Sequence, residues 1–170
     1  MSGNLDFFAG DVTSNDDLQK ASNLCLSRFG NLDILIPNAG IGFFNPLHKG
    51  SMKEWELMVD VNVTGVLRTI HTTLPHLVKS EGHIINIGSV AARNIFPNSG
   101  VYCATKHAVT AFSEGLRQEL SVRKNIRITS IEPGVVQTEL TNTITEKALE
   151  AFVEKHKEME GLKAEDISNA

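Results

Sequence analysis

The chain has 170 residues, 41% of them hydrophobic and 21% charged, with a formal net charge of −4. That composition fits one soluble domain with one core, without the basic excess of a nucleic-acid binder or the run of about 18 apolar residues of a membrane span. The opening MSGNLDFFAGD has neither the basic nor the long apolar region of a signal peptide, and two cysteines, Cys25 and Cys103, give no disulfide framework and fit a reduced, cytoplasmic compartment.

Leu5–Ala9 (LDFFA) is read as a short strand, followed by a turn at Asp11–Ser14. From Asn15 to Phe29, Leu18, Ala21, Cys25 and Phe29 recur at helical spacing, and Gly30 ends the pattern. Asp33–Pro37 (DILIP) is a compact apolar strand that breaks into Asn38-Ala39-Gly40-Ile41-Gly42. Ser51-Met52-Lys53-Glu54 has the pattern of a capping box and opens a helical region reaching about Lys79. His83–Gly88 (HIINIG) is a second apolar strand, Gly100–Arg123 a helix, and Ile126–Glu132 (IRITSIE) a third strand ending at Pro133-Gly134. The charged tail from Glu146 to Ala170 is expected to be helical.

Apolar strands separated by helices predict an α/β fold, a parallel sheet with helices on both faces. No linker or repeat divides the chain, so residues 1–170 form a single domain. Ligands of such sheets bind at the carboxyl ends of the strands, in the loops after Ala9, Ile36, Gly88 and Ile131.

Those loops hold chemistry. Tyr102 and Lys106 lie four apart on a helix, on one face. A free phenol has a pKa of about 10, and a neighbouring ammonium favours the phenolate, bringing it closer to acid–base work at neutral pH. Composition alone supplies a Y-x-x-x-K match in roughly one chain in three of this length, and a snorkelling lysine beside a surface tyrosine explains it equally well. Ser89 closes the strand HIINIG, thirteen residues before Tyr102. It can bond a substrate oxygen beside the phenol, or merely cap the next turn. Asn38-Ala39-Gly40 follows a strand directly, where small residues let a ligand approach the backbone. Asn62 stands mid-helix in VDVNVTG, a poor place for asparagine unless it has a partner. Gly88-Ser89-Val90-Ala91 is not a hydrolase elbow, and His48, His71, His76, His83, His107 and His156 lack metal-site spacing, so no metal is expected.

Taken together, Asn38-Ala39-Gly40, Asn62, Ser89, Tyr102-x-x-x-Lys106 and PGVVQT (Pro133–Thr138) resemble the short-chain dehydrogenase/reductase family in order and spacing, from about residue 5 to 140. Gly10-Asp11-Val12-Thr13 is similar to the family's adenine-contacting segment. The resemblance implies a Rossmann-like sheet and NAD(P)-dependent carbonyl reduction or alcohol oxidation of a small-molecule substrate. It implies that Tyr102 gives or takes the proton, that Lys106 lowers its pKa and holds the ribose, and that Ser89 polarises the carbonyl. Asn62 would hold a water leading to Lys106. Asp11 and Val12 would meet the adenine, and Asn38, Ala39 and Gly40 the adenosine side. Pro133 and Gly134 would line the cofactor, and Val136 and Thr138 would meet the carboxamide.

The family's opening strand, glycine-rich turn and helix, whose N-terminus holds the pyrophosphate, have no counterpart here. Gly40-Ile41-Gly42 belongs to the NAG element and is followed by Phe43-Phe44-Asn45-Pro46, not by a helix start. The expectation is therefore an incomplete domain, lacking the first two strands and the last, with weakened or lost cofactor binding. Leu5–Ala9 would then lie without its family neighbours, or pair directly with Asp33–Pro37, which otherwise becomes a bare apolar edge. NADP is favoured over NAD on the similarity around VYCATKHAV and SEGLRQEL. The resemblance also implies a homodimer or homotetramer through helices 51–79 and 100–123. An alternative is an inactive remnant acting only through such contacts.

Overall fold

The computed structural model describes residues 4–137, 140 and 161–169. Helix α1 spans Asn15–Phe29 as its spacing predicts. Its start is fixed by the Ser14 side chain, which accepts the Asp17 N–H, and its end by Gly30 in the left-handed region at φ 77°. Strand β1 is only Ile34–Leu35, shorter than DILIP because Pro37 cannot donate to a ladder. Helix α2 (Met52–Val59) passes through a π-helical turn at Asp60–Gly65 into α3 (Val66–Ser80). Strand β2 is His83–Ile87 and helix α4 is Gly100–Leu116. A second π turn at Arg117–Ser121 and a short α5 (Val122–Lys124) lead to β3, Arg127–Ile131. The last described helix, α6, is Ala164–Ser168.

The three strands form one parallel sheet in the order β1-β2-β3, with Ile34 opposite His83 and Ile87 opposite Ile131. Helices α1, α3 and α4 bury the face carrying Leu35, Ile84 and Ile128, around a core of Leu32, Val66, Ile70, Leu77, Ile84, Val109, Leu116 and Ile126. Asn86 belongs to that face and is fully buried; its Nδ2 donates to Ser113 Oγ of α4 at 2.7 Å. The opposite face, expected to be covered as well, carries Ile34 at 57% exposure together with exposed Arg127 and Thr129. Among the described residues the helical cover is therefore on one side. A second cluster of Met58, Ala91, Tyr102 and Cys103, with Phe43, Phe44 and Trp55 against it, closes the carboxyl end of the sheet.

Two local expectations are corrected. Leu5–Ala9 is not a strand and does not pair with β1: Leu5 and Phe7 are 95% and 87% exposed, and β1 pairs only with β2 among the described residues. A strand is stable only against a ladder partner, and this segment is tethered instead by its side chains. Asp6 Oδ2 accepts from Arg28 Nε at 2.7 Å. The capping box at α2 does not close either. Ser51 is the N-cap but its side chain makes no capping bond, and Glu54 Oε2 accepts from Asn45 Nδ2 at 3.3 Å.

Candidate active site

The peptide after β1 turns away at Pro37 and brings Asn38 and Gly40 to the sheet's carboxyl end. Ile41 is held there by Asn62, whose Oδ1 accepts the Ile41 N–H and whose Nδ2 donates to the Ile41 carbonyl, both at 2.8 Å. The same Nδ2 donates to Thr105 Oγ1 of α4 at 3.2 Å. Asn62 is 2% exposed and lies in the π turn. There the inserted residue widens the helix, a distortion often found at functional sites. One amide thus ties together the loop after β1, the α2–α3 junction and α4.

Gly65 closes the same turn. A Cβ on it would lie 2.9 Å from Val12 Cγ2, so the absence of a side chain lets the Asp11-Val12 loop dock against the helix. The Asp11 carboxylate accepts the Thr13 N–H at 2.8 Å, a turn bond that holds it below the usual carboxylate range. Asp11 and Val12 are therefore positioned, but they do not line the central cleft.

Lys106 reaches from α4 across the end of β2, where its Nζ donates to the Ile87 carbonyl at 2.9 Å. Burial pushes its pKa down to about 8. Its ammonium lies 5.9 Å from the centre of the Tyr102 ring, and the Phe44 ring packs against Tyr102 in a tilted arrangement, at 54° and 5.2 Å between centroids. Tyr102 is 9% exposed. Burial raises its pKa, the Ser89 hydroxyl pulls it back down, and Cys103 raises it further. The lowering by Lys106 expected from the sequence does not prevail. Desolvation wins, and the phenol stays protonated at neutral pH.

Ser89 serves two ends at once. Its Oγ accepts the Ala91 N–H at 3.1 Å, capping a short 3₁₀ turn at Val90–Ala92, and it faces Tyr102. The turn is fastened from the far side by the Val90 N–H, which donates to the Pro133 carbonyl at 3.0 Å.

These groups surround a cleft of ≈ 700 Å³, with Asn38, Gly40 and Ile41 on one wall, Ser89, Tyr102 and Lys106 at its base, and Pro133, Gly134 and Val136 on the other. Ala39 does not line it, and Thr138 lies outside the described residues. The cleft also takes in Ala164 and Ile167 of α6, which were not among the expected site residues. Their segment is brought back by a parallel bridge in which the Gln137 N–H donates to the Leu162 carbonyl at 2.9 Å and the Leu162 N–H to the Val135 carbonyl at 3.0 Å. No periodicity in the tail announces such a contact.

Residues 2–149 match the family model described as short chain dehydrogenase. The chain belongs to that family. A relative named an uncharacterized oxidoreductase, from Staphylococcus saprophyticus, is 45% identical over 147 residues, covering 85% of this chain and 60% of the relative. Two solved members are similar in structure. One is the closed form of serine dehydrogenase complexed with NADP+, at TM-score 0.84 and 34% identity, covering 94% of this chain and 65% of that one. The other is 3-ketoacyl-(acyl-carrier-protein) reductase from Brucella melitensis complexed with NADH, at TM-score 0.84 and 29% identity, covering 95% and 66%. The chain thus spans less than two thirds of the length of these family members.

The cleft suits the nicotinamide and ribose end of such a cofactor: one buried ammonium, one phenol and a backbone loop without bulky side chains. The pyrophosphate end has no such match among the described residues. Helix α1 follows the Gly10–Thr13 loop, but its N-terminus is already capped by Ser14, and Asp16 and Asp17 occupy its first turn, where an anion would be repelled. No described helix is long and apolar enough to cross a membrane.

Proposed function

We propose that the cleft is the proton-transfer end of an NAD(P)-dependent oxidoreductase site that interconverts a small-molecule carbonyl compound and its alcohol. The observation that carries this reading is the convergence of Ser89, just beyond the end of β2, with Tyr102 and Lys106, one turn apart on α4, on one cleft at the carboxyl end of a parallel sheet. A nicotinamide bound there would supply or accept the hydride.

The chain's own residues handle the oxygen and the proton. Ser89 donates a hydrogen bond from its hydroxyl to the substrate oxygen, keeping its proton, and draws charge from the carbonyl carbon. Tyr102, protonated because it is buried, transfers its phenolic proton to that oxygen as the carbon is reduced. The resulting phenolate is stabilised by the Lys106 ammonium, which is still largely charged at neutral pH with its pKa near 8. In the oxidation direction the same proton travels back. Asn62 acts through position, its amide tying Ile41 to Thr105 of α4, and the second lone pair of its Oδ1 is available for the water expected to lead to Lys106.

Cofactor affinity is weak, because the ribose end is built and the described residues offer no cradle for the pyrophosphate. NADP is preferred to NAD. Calorimetric titration with NADPH and NADH tests both points. Dissociation constants weaker than micromolar are expected, with the lower value for NADPH and loss of binding in Lys106→Met. Micromolar binding, or equal values for the two, overturns the corresponding point.

Self-association belongs to the same proposal. Leu57, Val59 and Leu67 are exposed apolar side chains at 43%, 46% and 38% on α2 and α3, within the helices 51–79 through which pairing is expected. They suit pairing of two copies, whether or not the cleft turns over. A monomer in light scattering at high micromolar concentration would rule it out.

A further inference from the structure

Glu132 stands one residue beyond β3 and does not line the cleft, yet it touches the parts that build it. Its carboxylate accepts from Arg93 at two points, Nε to Oε2 at 2.8 Å and Nη2 to Oε1 at 3.2 Å. Arg93 is the residue that ends the Val90–Ala92 turn, whose first residue follows Ser89. The same Oε1 accepts from Thr110 Oγ1 at 3.3 Å. Thr110 lies on α4 at the next i,i+4 position after Tyr102 and Lys106, on the same helical face. Glu132 itself leads into Pro133, whose carbonyl takes the Val90 N–H.

We infer that Glu132 is a positioning residue: by bonding Arg93 and Thr110 it fixes the turn that carries Ser89 against the helix that carries Tyr102. The inference rests on the assignment of Ser89 and Tyr102 as the reacting pair. Surface ion pairs usually contribute little, and Arg93 is 66% exposed at its side chain. This pair differs in being two-pronged, in having its carboxylate 19% exposed, and in sharing that carboxylate with a third element. Arg93 and Thr110 both favour its ionised form. Gly88 adds a constraint: a Cβ there would lie 3.1 Å from Glu132 Cγ, so strand end and carboxylate stem are packed in direct contact.

Tyr102 is the chain's single tyrosine, so its ionisation can be followed by ultraviolet absorbance without turnover or cofactor. Phenolate is measured at about pH 10, close to the ordinary tyrosine midpoint, with circular dichroism recorded on the same samples to verify that each variant keeps its fold. Ser89→Ala removes the hydroxyl that lowers the phenol's pKa, and the phenolate fraction falls about twofold. Glu132→Ala and Arg93→Ala lower it in the same direction, Glu132→Gln by less, and Glu132→Ala adds nothing in a Ser89→Ala background. Glu114→Ala, which breaks the exposed Arg117 pair elsewhere, leaves it unchanged. If alanine at 132 does not fold, Glu132→Gln and Arg93→Ala read the same contacts. A phenol that moves with Ser89→Ala but not with the Glu132 and Arg93 variants, or effects that simply add, overturns the inference alone. A phenol unmoved by Ser89→Ala overturns the Ser89–Tyr102 assignment, and the inference with it.

Discussion

Asn62 pairs with Ile41 as one strand pairs with another, accepting its N–H and donating to its carbonyl, both at 2.8 Å. A side chain thus takes the place of a ladder where the chain has left the sheet. Removing it orphans two backbone groups at a buried site. Asn62→Ala is expected to cost about 1–3 kcal/mol, with a matching drop in denaturant midpoint. Asn62→Asp cannot donate to the Ile41 carbonyl and falls in the same range. A midpoint within error of wild type for both would show that the clamp is dispensable.

Lys106 makes stability depend on pH in a defined window. Its folded pKa is about 8 against 10.5 for the free group, so the unfolded chain holds the extra proton between those values. Stability therefore rises with pH from about 8 upward. Tyr102, with its pKa raised above 10, works oppositely only beyond that point, so the clean window is pH 8 to 10. Across it the wild type gains about 2 kcal/mol relative to Lys106→Met. Urea unfolding of both proteins at several pH values measures this. A difference that stays flat or shrinks would contradict the burial of a charged Lys106.

Gly65 and Val12 form a lock that a single methyl group breaks. Gly65→Ala places a Cβ 2.9 Å from Val12 Cγ2 and 3.4 Å from the Asp60 carbonyl oxygen. A loss of about 1–3 kcal/mol is expected, recovered in large part by Val12→Ala in the same chain. Thermal melts of the four proteins test the coupling. Additive losses would mean that the strain lies against Asp60 instead.

The open face of the sheet bears Ile34 at 57% exposure and, just beyond β1, Ile36 at 53%, and β1 is paired only with β2 among the described residues. Such an edge favours strand addition between copies. Ile34→Lys with Ile36→Lys should reduce concentration-dependent light scattering several-fold without lowering the melting temperature by more than a few degrees. Unchanged scattering would place the association elsewhere.

Much of this architecture was legible in the sequence, and the exceptions share a cause. Helix α1 was readable to the residue, because Ser14 and Gly30 mark its ends locally. The three parallel strands announced themselves as apolar runs, Ser89 is marked by its place after one of them, and Tyr102 and Lys106 by their i,i+4 spacing on one helix face. What escaped depends on partners distant in sequence. Leu5–Ala9 has strand composition but no neighbouring strand, and composition cannot supply one. The raised Tyr102 pKa reflects burial under Phe44 and Cys103, a tertiary property that outweighs the nearby ammonium. Asn62 stood out as a poor helix residue, but only the backbone reveals the π turn that aims it inward. The return of Leu162 to Val136, and with it Ile167 in the cleft, has no local marker in the residues themselves.

The central claim is that Tyr102 is the group that exchanges a proton with the substrate oxygen. Single-turnover oxidation of NADPH by a carbonyl compound, at cofactor concentrations high enough to offset weak binding, tests it most directly in wild type and Tyr102→Phe. The account predicts measurable turnover in the wild type and a fall of about 100-fold or more in the variant, which keeps the ring and loses only the hydroxyl. A Tyr102→Phe chain that turns over at the wild-type rate, or a wild type with no turnover at saturating NADPH, would contradict it.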